Sequence, residues 1–203
     1  MSYKCNCTIG YVGNHCDTAC SRDVLVKIDQ TLLSNYYVPS TRQFLQKLVS
    51  KMQIGSNGIY MGVSTFYESG VAFGWGLGWN TNKISLLSSI GHLQHQPMSG
   101  LPDIFQPVHS LYIHATGGHD GRYDVPDVAL IITGPFKNSQ YSSKSESDRI
   151  NTVMPIVTIG VGNVNTQMLR SIAKDSSHAL NVRSVNDLVD NDFVDKVLNI
   201  LCL

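Results

Sequence analysis

Residues 155–175 read PIVTIGVGNVNTQMLRSIAKD, and their reading decides the fold. The first eight form an apolar run closing on Gly-Val-Gly, as expected of a parallel strand covered on both faces. The stretch from 165 to 173 is amphipathic at helical spacing, so a strand passes directly into a helix. A Gly-x-Gly after a strand invites a dinucleotide-binding reading. Asn165, however, stands where the third glycine of that fingerprint belongs. Neither a Gly-x-x-x-x-Gly-Lys-Ser/Thr phosphate loop nor a Gly-x-Ser-x-Gly nucleophile elbow occurs.

Outward from this segment the same alternation repeats. DVLVKI (23–28), GIYMGVSTFY (58–67) and DVALIIT (127–133) read as strands, and HALNV (178–182) as a short final one. Pro39 opens a helical stretch with Phe44, Leu45, Leu48, Val49 and Met52 on one face. Further helices are expected at 83–93, using Ile84, Leu87 and Ile90, at 102–114, and at 184–201. VAFGWGLGW (71–79) alternates Phe73, Trp75, Leu77 and Trp79 with glycines, the pattern of an edge strand with one packed face. The polar stretch 137–148 is expected to be a long loop. Strand–helix alternation predicts an α/β fold: a doubly wound, mostly parallel central sheet flanked by helices.

Bulk properties narrow the function. The 203 residues fit one domain with a small appendage, and 42% hydrophobic content supports a proper core. Fifteen basic residues balance fifteen acidic ones, so nucleic acid and anionic membrane surfaces gain no support as partners. No apolar run is long enough for direct membrane insertion, and MSYKCNC does not read as a signal peptide.

Of five cysteines, Cys5, Cys7, Cys16 and Cys20 crowd the start and Cys202 lies at the other end. That distribution suits a disulfide-stapled leader joined to a domain whose ends are clipped together, in an oxidising compartment. CNCTIGYVGNHC (5–16) has the spacing Cys-x-Cys-x-x-Gly-Tyr-x-Gly-x-x-Cys and resembles the C-terminal half of an EGF-like module. The resemblance pairs Cys7 with Cys16 and leaves Cys5 without a partner in this chain. It divides the chain into a partial EGF-like module at 1–19 and a main domain at 20–203. The expectation is therefore a fragment, lacking its signal peptide, of a secreted protein or a cell-surface ectodomain. Asn6-Cys-Thr is a glycosylation sequon that fits that setting.

The main domain resembles the von Willebrand factor type A domain over about 23–202. IVTIGVGNVNTQMLRSIAKD matches that family's fifth strand, Gly-Val-Gly turn and following helix, and HALNVRSVNDL its last strand and the start of its last helix. DVLVKID and VPDVALIITG match its first and fourth strands, and Cys20 with Cys202 suits its flanking clip. The resemblance implies a magnesium-type adhesion site at the C-terminal edge of the sheet. Such a site takes ligands from Asp-x-Ser-x-Ser, a middle-loop threonine and an aspartate ending the fourth strand. A hard divalent ion needs about six oxygens, one position being left for a partner's carboxylate.

Mapped residue by residue, little of that set remains. Asp29 matches the first aspartate, and Thr31 keeps a hydroxyl in place of the first serine. Leu33 replaces the second, with Ser34 one place further on. Leu101 or Asp103 falls in the threonine's region, and Gly134 takes the fourth-strand aspartate's place. Asp29, Thr31, Ser34 and Asp103 are thus the candidate metal ligands, and the expectation is a degenerate site with no cofactor. The alternative role for Asp29 is capping amides at the start of the next helix.

Ligands of open α/β sheets sit outside the carboxyl ends of the strands. The expected binding rim therefore comprises Asp29, Thr31, Ser34, Leu101, Asp103, Gly134 and Asn163. The reading is an extracellular module for protein–protein interaction, in adhesion, matrix or receptor-type binding, and not an enzyme. A second reading is a matrix protein that self-associates through its edge strand or Cys5. A third is a hydrolase or metalloenzyme using His114, His119 and Asp120; His92 and His95, one helical turn apart, could also ligate a metal but read more readily as surface or capping histidines.

Overall fold

A computed structural model describes residues 11–12, 18–95, 100–117, 121–138 and 142–202. Cys5, Asn6, Cys7, Cys16, His119 and Asp120 lie outside these residues, and with them the expected Cys7–Cys16 bridge and the glycosylation site. In the leader, β1 (Tyr11–Val12) pairs antiparallel with β2 (Thr18–Ala19).

The main sheet has six strands. Its centre is β3 (Arg22–Asp29), which pairs in parallel with β4 (Ile59–Tyr67) on one side and β6 (Asp127–Thr133) on the other. β7 (Ile156–Val161) and β8 (Ala179–Val182) continue the parallel order, and β5 (Gly70–Trp75) runs antiparallel beside β4 at the opposite edge. β6 and β7 are buried along their whole length, as continuous apolar runs require when both faces are covered.

Alternation along the strands feeds two cores. Val24, Val26 and Ile28 point to the face covered by α1 (Val38–Lys51), α2 (Lys83–Gly91) and α6 (Asn191–Leu201), where they meet Phe44, Leu45, Leu48 and Val197. Ala129, Ile131 and Phe66 point to the other face, covered by α3 (Phe105–Gly117), α4 (Ser142–Ile150) and α5 (Thr166–Ile172). This is the doubly wound arrangement expected.

Local chemistry sets the helix ends. Pro39 occupies the first turn of α1, where its missing N–H costs nothing. Asn165, the residue that breaks the dinucleotide fingerprint, caps α5 by accepting the Met168 amide at 3.0 Å. Asp190 does the same for Phe193 at 3.1 Å. That cap divides the expected 184–201 helix into a 3₁₀ turn at Val185–Val189 and α6.

Other expectations also shift. α2 buries Leu86 and Ile90, while Ile84 is 82% exposed, because the apolar positions there fit two helical phases and packing selects one. β5 ends at Trp75; the strand pattern does not continue to residue 79, and Trp79 is 68% exposed. The expected loop at 137–148 contains most of α4, whose packed face is Ser143, Ser147 and Ile150. Serines give hydropathy no periodic signal, so that helix is silent in the sequence.

Two ties hold the rim's far end and the termini. At the N-terminal end of the sheet the buried Asp23 accepts the Arg122 amide at 2.7 Å and its guanidinium at 2.6 and 2.9 Å. Arg122 also donates to the Gly58 carbonyl and lies over the Tyr60 ring. A side chain at Gly121 would run into the Asp23 carboxylate. A disulfide joins Cys20 to Cys202, with their Cα atoms 5.5 Å apart.

Candidate functional site

β3, β6 and β7 all end on one edge of the sheet, where Asp29, Gly134 and Gly162 follow their last core residues. Asp29 is fully buried. Its Oδ1 accepts the Thr31 amide at 2.7 Å, and its Oδ2 accepts the Gly134 amide at 2.9 Å and the Thr133 hydroxyl at 3.3 Å. The Thr31 hydroxyl also acts on the carboxylate. A carboxylate offers about four lone-pair sites, so these donors occupy it. Burial pushes the Asp29 carboxyl above its ordinary range, against the hydrogen bonds from Thr31, Gly134 and Thr133, which pull it down. Asp29 is also the N-cap of the 3₁₀ turn Gln30–Leu33, which is the capping alternative.

The remaining candidate ligands are used elsewhere or turned away. Leu33 packs fully buried in the α1-side core instead of lying beside the rim, because the tight 3₁₀ turn carries it inward. Ser34 closes that turn, its amide donating to the Thr31 carbonyl. Asp103 is buried and accepts the Phe105 amide at 3.0 Å at the start of α3. Its backbone bridges to Lys137. Leu101 is half exposed on the loop before α3.

A cavity of about 290 Å³ opens on this edge. Of the expected rim residues, Thr31, Gly134 and Asn163 line it, whereas Asp29, Ser34, Leu101 and Asp103 do not. A Cβ at Gly134 would stand 3.3 Å from the Thr31 hydroxyl and 3.4 Å from Asp29 Oδ2. This is the position from which the resemblance would bring an aspartate to an ion.

The structure adds Tyr37 and Arg183 to the same cavity. Arg183 is exposed just beyond β8 and makes no hydrogen bond or ion pair among the described residues. Tyr37 stacks edge-on against Tyr36, which is 80% exposed. Sequence reading missed both residues because neither belongs to the metal-ligand pattern. The only available signal was an arginine directly after the last strand.

Among the described residues the histidines do not assemble. His92 Nδ1 lies against the Ser88 carbonyl, His95 Nδ1 against the Gln30 carbonyl, and His114 Nε2 is 3.2 Å from Asp127 Oδ2. Among the described residues no group of three or more histidines, cysteines or carboxylates is placed to hold a metal ion.

The geometry has known counterparts. Proximal thread matrix protein 1 from the mussel byssus, in a structure with a zinc-occupied MIDAS motif, superposes with a TM-score of 0.77 at 20% identity. The match covers 90% of this chain and 46% of that one, so the chain spans just under half its length. A second structure of the same mussel protein gives a TM-score of 0.76 at 18% identity, covering 93% and 49% of the two chains. The manganese-loaded TRAP protein of Plasmodium vivax gives 0.65 at 17% identity, covering 84% and 71%. No curated protein matches the chain at a significant level. These structural likenesses carry the fold. The sequence profile of the von Willebrand factor type A domain matches residues 23–193. Domains of that family mediate protein–protein interaction and adhesion. With the profile spanning most of the chain, the protein belongs to the von Willebrand factor type A domain family.

Proposed function

We propose that this protein is an extracellular interaction module whose C-terminal rim binds an acidic protein partner without a resident metal ion. The observation that supports it is the exchange of charge at the rim. The Asp29 carboxylate is buried and occupied by internal donors, while Arg183, in the cavity beside it, is exposed and without a partner among the described residues. A guanidinium can take a partner's carboxylate directly through paired N–H donors. Exposed Tyr36 and Tyr37 beside it are residue types that anchor interfaces. A divalent ion would have to displace the Thr31 or Gly134 amide from Asp29 and find its other oxygens in water, which does not fit a hard ion's needs. The reading includes a partial EGF-like module at 1–19, a sugar on Asn6 and no catalysis.

Two measurements test it. Thermal unfolding in magnesium, in manganese and in EDTA should give identical curves, since an ion bound only by the folded state must raise the melting temperature. A rise lost in Asp29→Ala would overturn the metal-free reading. An aspartate-rich peptide should bind equally well in EDTA and at least tenfold more weakly to Arg183→Glu. Unchanged binding in that variant would remove the rim from the proposal.

Trp79 favours a second reading, self-association of a matrix protein, because it stands 68% exposed beside edge strand β5. Against it, the ladder breaks at Val63/Ser64, and Gly74 sits so close to the Val63 carbonyl that only glycine fits. Such a bulge blunts an edge against strand addition. Sedimentation showing a concentration-dependent dimer abolished by Trp79→Ser would favour this second reading.

A further inference from the structure

On the other side of the sheet from α1, a cavity of about 400 Å³ lies between α3 and strands β3 and β4. Lys27 projects into its wall from the middle of β3 and is only 8% exposed. Ser64 is its direct cross-strand partner on β4, so the two side chains share one face of the sheet. The Lys27 ammonium donates to the Ser110 hydroxyl at 3.0 Å, which uses one of its three N–H groups. Ser64 is 6% exposed, and its hydroxyl has no hydrogen-bond partner among the described residues.

Among the described residues this ammonium faces no carboxylate and lies beside a buried hydroxyl with no partner, an unfavourable arrangement for a core. Burial accordingly lowers the Lys27 pKa to about 8. Asp127, at the start of β6, lies against His114, which lines the same cavity. Among the described residues the cavity thus presents donors and one positive charge, with no carboxylate on its lining. Its other walls are apolar: Leu25, Val71 and Leu77, with Ile113 half exposed at the mouth. A cavity of this size with a few convergent polar groups suits a small ligand.

We propose that this cavity binds a small amphiphilic carboxylate, its carboxylate held by the Lys27 ammonium and the Ser64 hydroxyl and its apolar tail between Val71, Leu77 and α3. A planar monoanion matches the few donors present, and the apolar walls exclude a free phosphate, which needs more of them. This site is separate from the rim and does not depend on how the rim reads.

Isothermal titration with decanoate tests it on the whole chain. Decanoate should bind saturably, with one site per chain, while decan-1-ol, which has the same tail and no charge, binds at least tenfold more weakly. Lys27→Met, which keeps the stem's volume, should weaken decanoate at least tenfold. Ser64→Ala should weaken it several-fold, and Asp29→Ala should leave it unchanged. Should Lys27→Met fail to fold, Ser64→Ala and the alcohol still decide the question. Absence of saturable decanoate binding, equal affinity for the alcohol, or affinity unaltered in both cavity variants would overturn the proposal.

Discussion

Gly134 donates its backbone N–H to the Asp29 carboxylate at 2.9 Å, so the ends of two neighbouring parallel strands are tied by a bond that needs no side chain at residue 134. The same glycine leaves room toward Thr31 and Asp29, where a Cβ would arrive at 3.3 and 3.4 Å. Gly134→Asp should therefore set a second carboxylate beside a buried first one. In EDTA the variant is expected to melt lower than the parent, since like charges repel at short range. Manganese should restore the loss in a concentration-dependent way. Melting curves unaffected by manganese would show that the edge cannot gather enough oxygens even with the aspartate supplied.

Asp29 itself makes stability depend on pH. Its carboxyl titrates above the ordinary range because of burial, so the folded chain holds that proton more tightly than the unfolded chain. The associated stabilisation is present below the unfolded value of 3.8 and is lost as pH rises through the folded one. Asp29→Asn removes this dependence. It also turns an amide toward the Thr31 or Gly134 N–H and should cost about 1–3 kcal/mol at neutral pH. Denaturant unfolding of both proteins across the acidic range should show the parent's advantage growing toward low pH.

Lys27 works in the opposite direction. Its unfolded pKa of 10.5 falls to about 8 in the fold. Between those values the unfolded chain holds more protons, and stability rises with pH. Below about 8 the folded protein carries the full cost of a buried ammonium, up to about 3 kcal/mol at 1.36 kcal/mol per unit. With no ligand present, Lys27→Met should be more stable than the parent by about 1–3 kcal/mol at neutral pH, allowing for the lost Ser110 bond. Urea titrations should show that gain shrinking as pH climbs above 8.

At the opposite end of β3, Arg122 neutralises Asp23 through three donors. Removing the guanidinium leaves a fully buried carboxylate with only the amide. Arg122→Ala should cost about 3–5 kcal/mol, as breaking one partner of a buried pair does. Arg122→Lys should recover only part of it, because a single ammonium cannot reproduce the forked contact and the Gly58 carbonyl bond together. Chemical denaturation of the two variants measures both losses.

The sheet could be read from the sequence because its inner strands are unbroken apolar runs, and no helix competes for a stretch as short and β-branched as DVALIIT. The 165–173 helix was equally legible, since its apolar residues recur at helical spacing. α4 was not, because serine lets a helix approach its neighbours closely without an apolar stripe. Of the candidate site, only positions such as Asp29, Leu33 and Gly134 could be picked out in the sequence. Its geometry could not. That the residue 134 amide meets Asp29 follows from the pairing of β3 with β6, and that Leu33 turns into the core follows from the 3₁₀ turn after β3, neither of which ligand spacing encodes. Lys27 and Ser64 were hidden for a related reason: they lie 37 positions apart in the chain, and only strand register makes them neighbours.

The bond between Cys20 and Cys202 also governs how the domain carries load. A pull applied to the chain outside the two cysteines passes from one to the other across 5.5 Å of covalent bridge. The six-stranded sheet lies in the loop between them and stays out of the line of tension. Stretching therefore leaves the ladder of β3, β6 and β7 unstrained for as long as the bridge is oxidised. Reduction would place those strands in the force path, so the redox state of one sulfur pair decides whether the domain acts as a rigid link or as an extensible one.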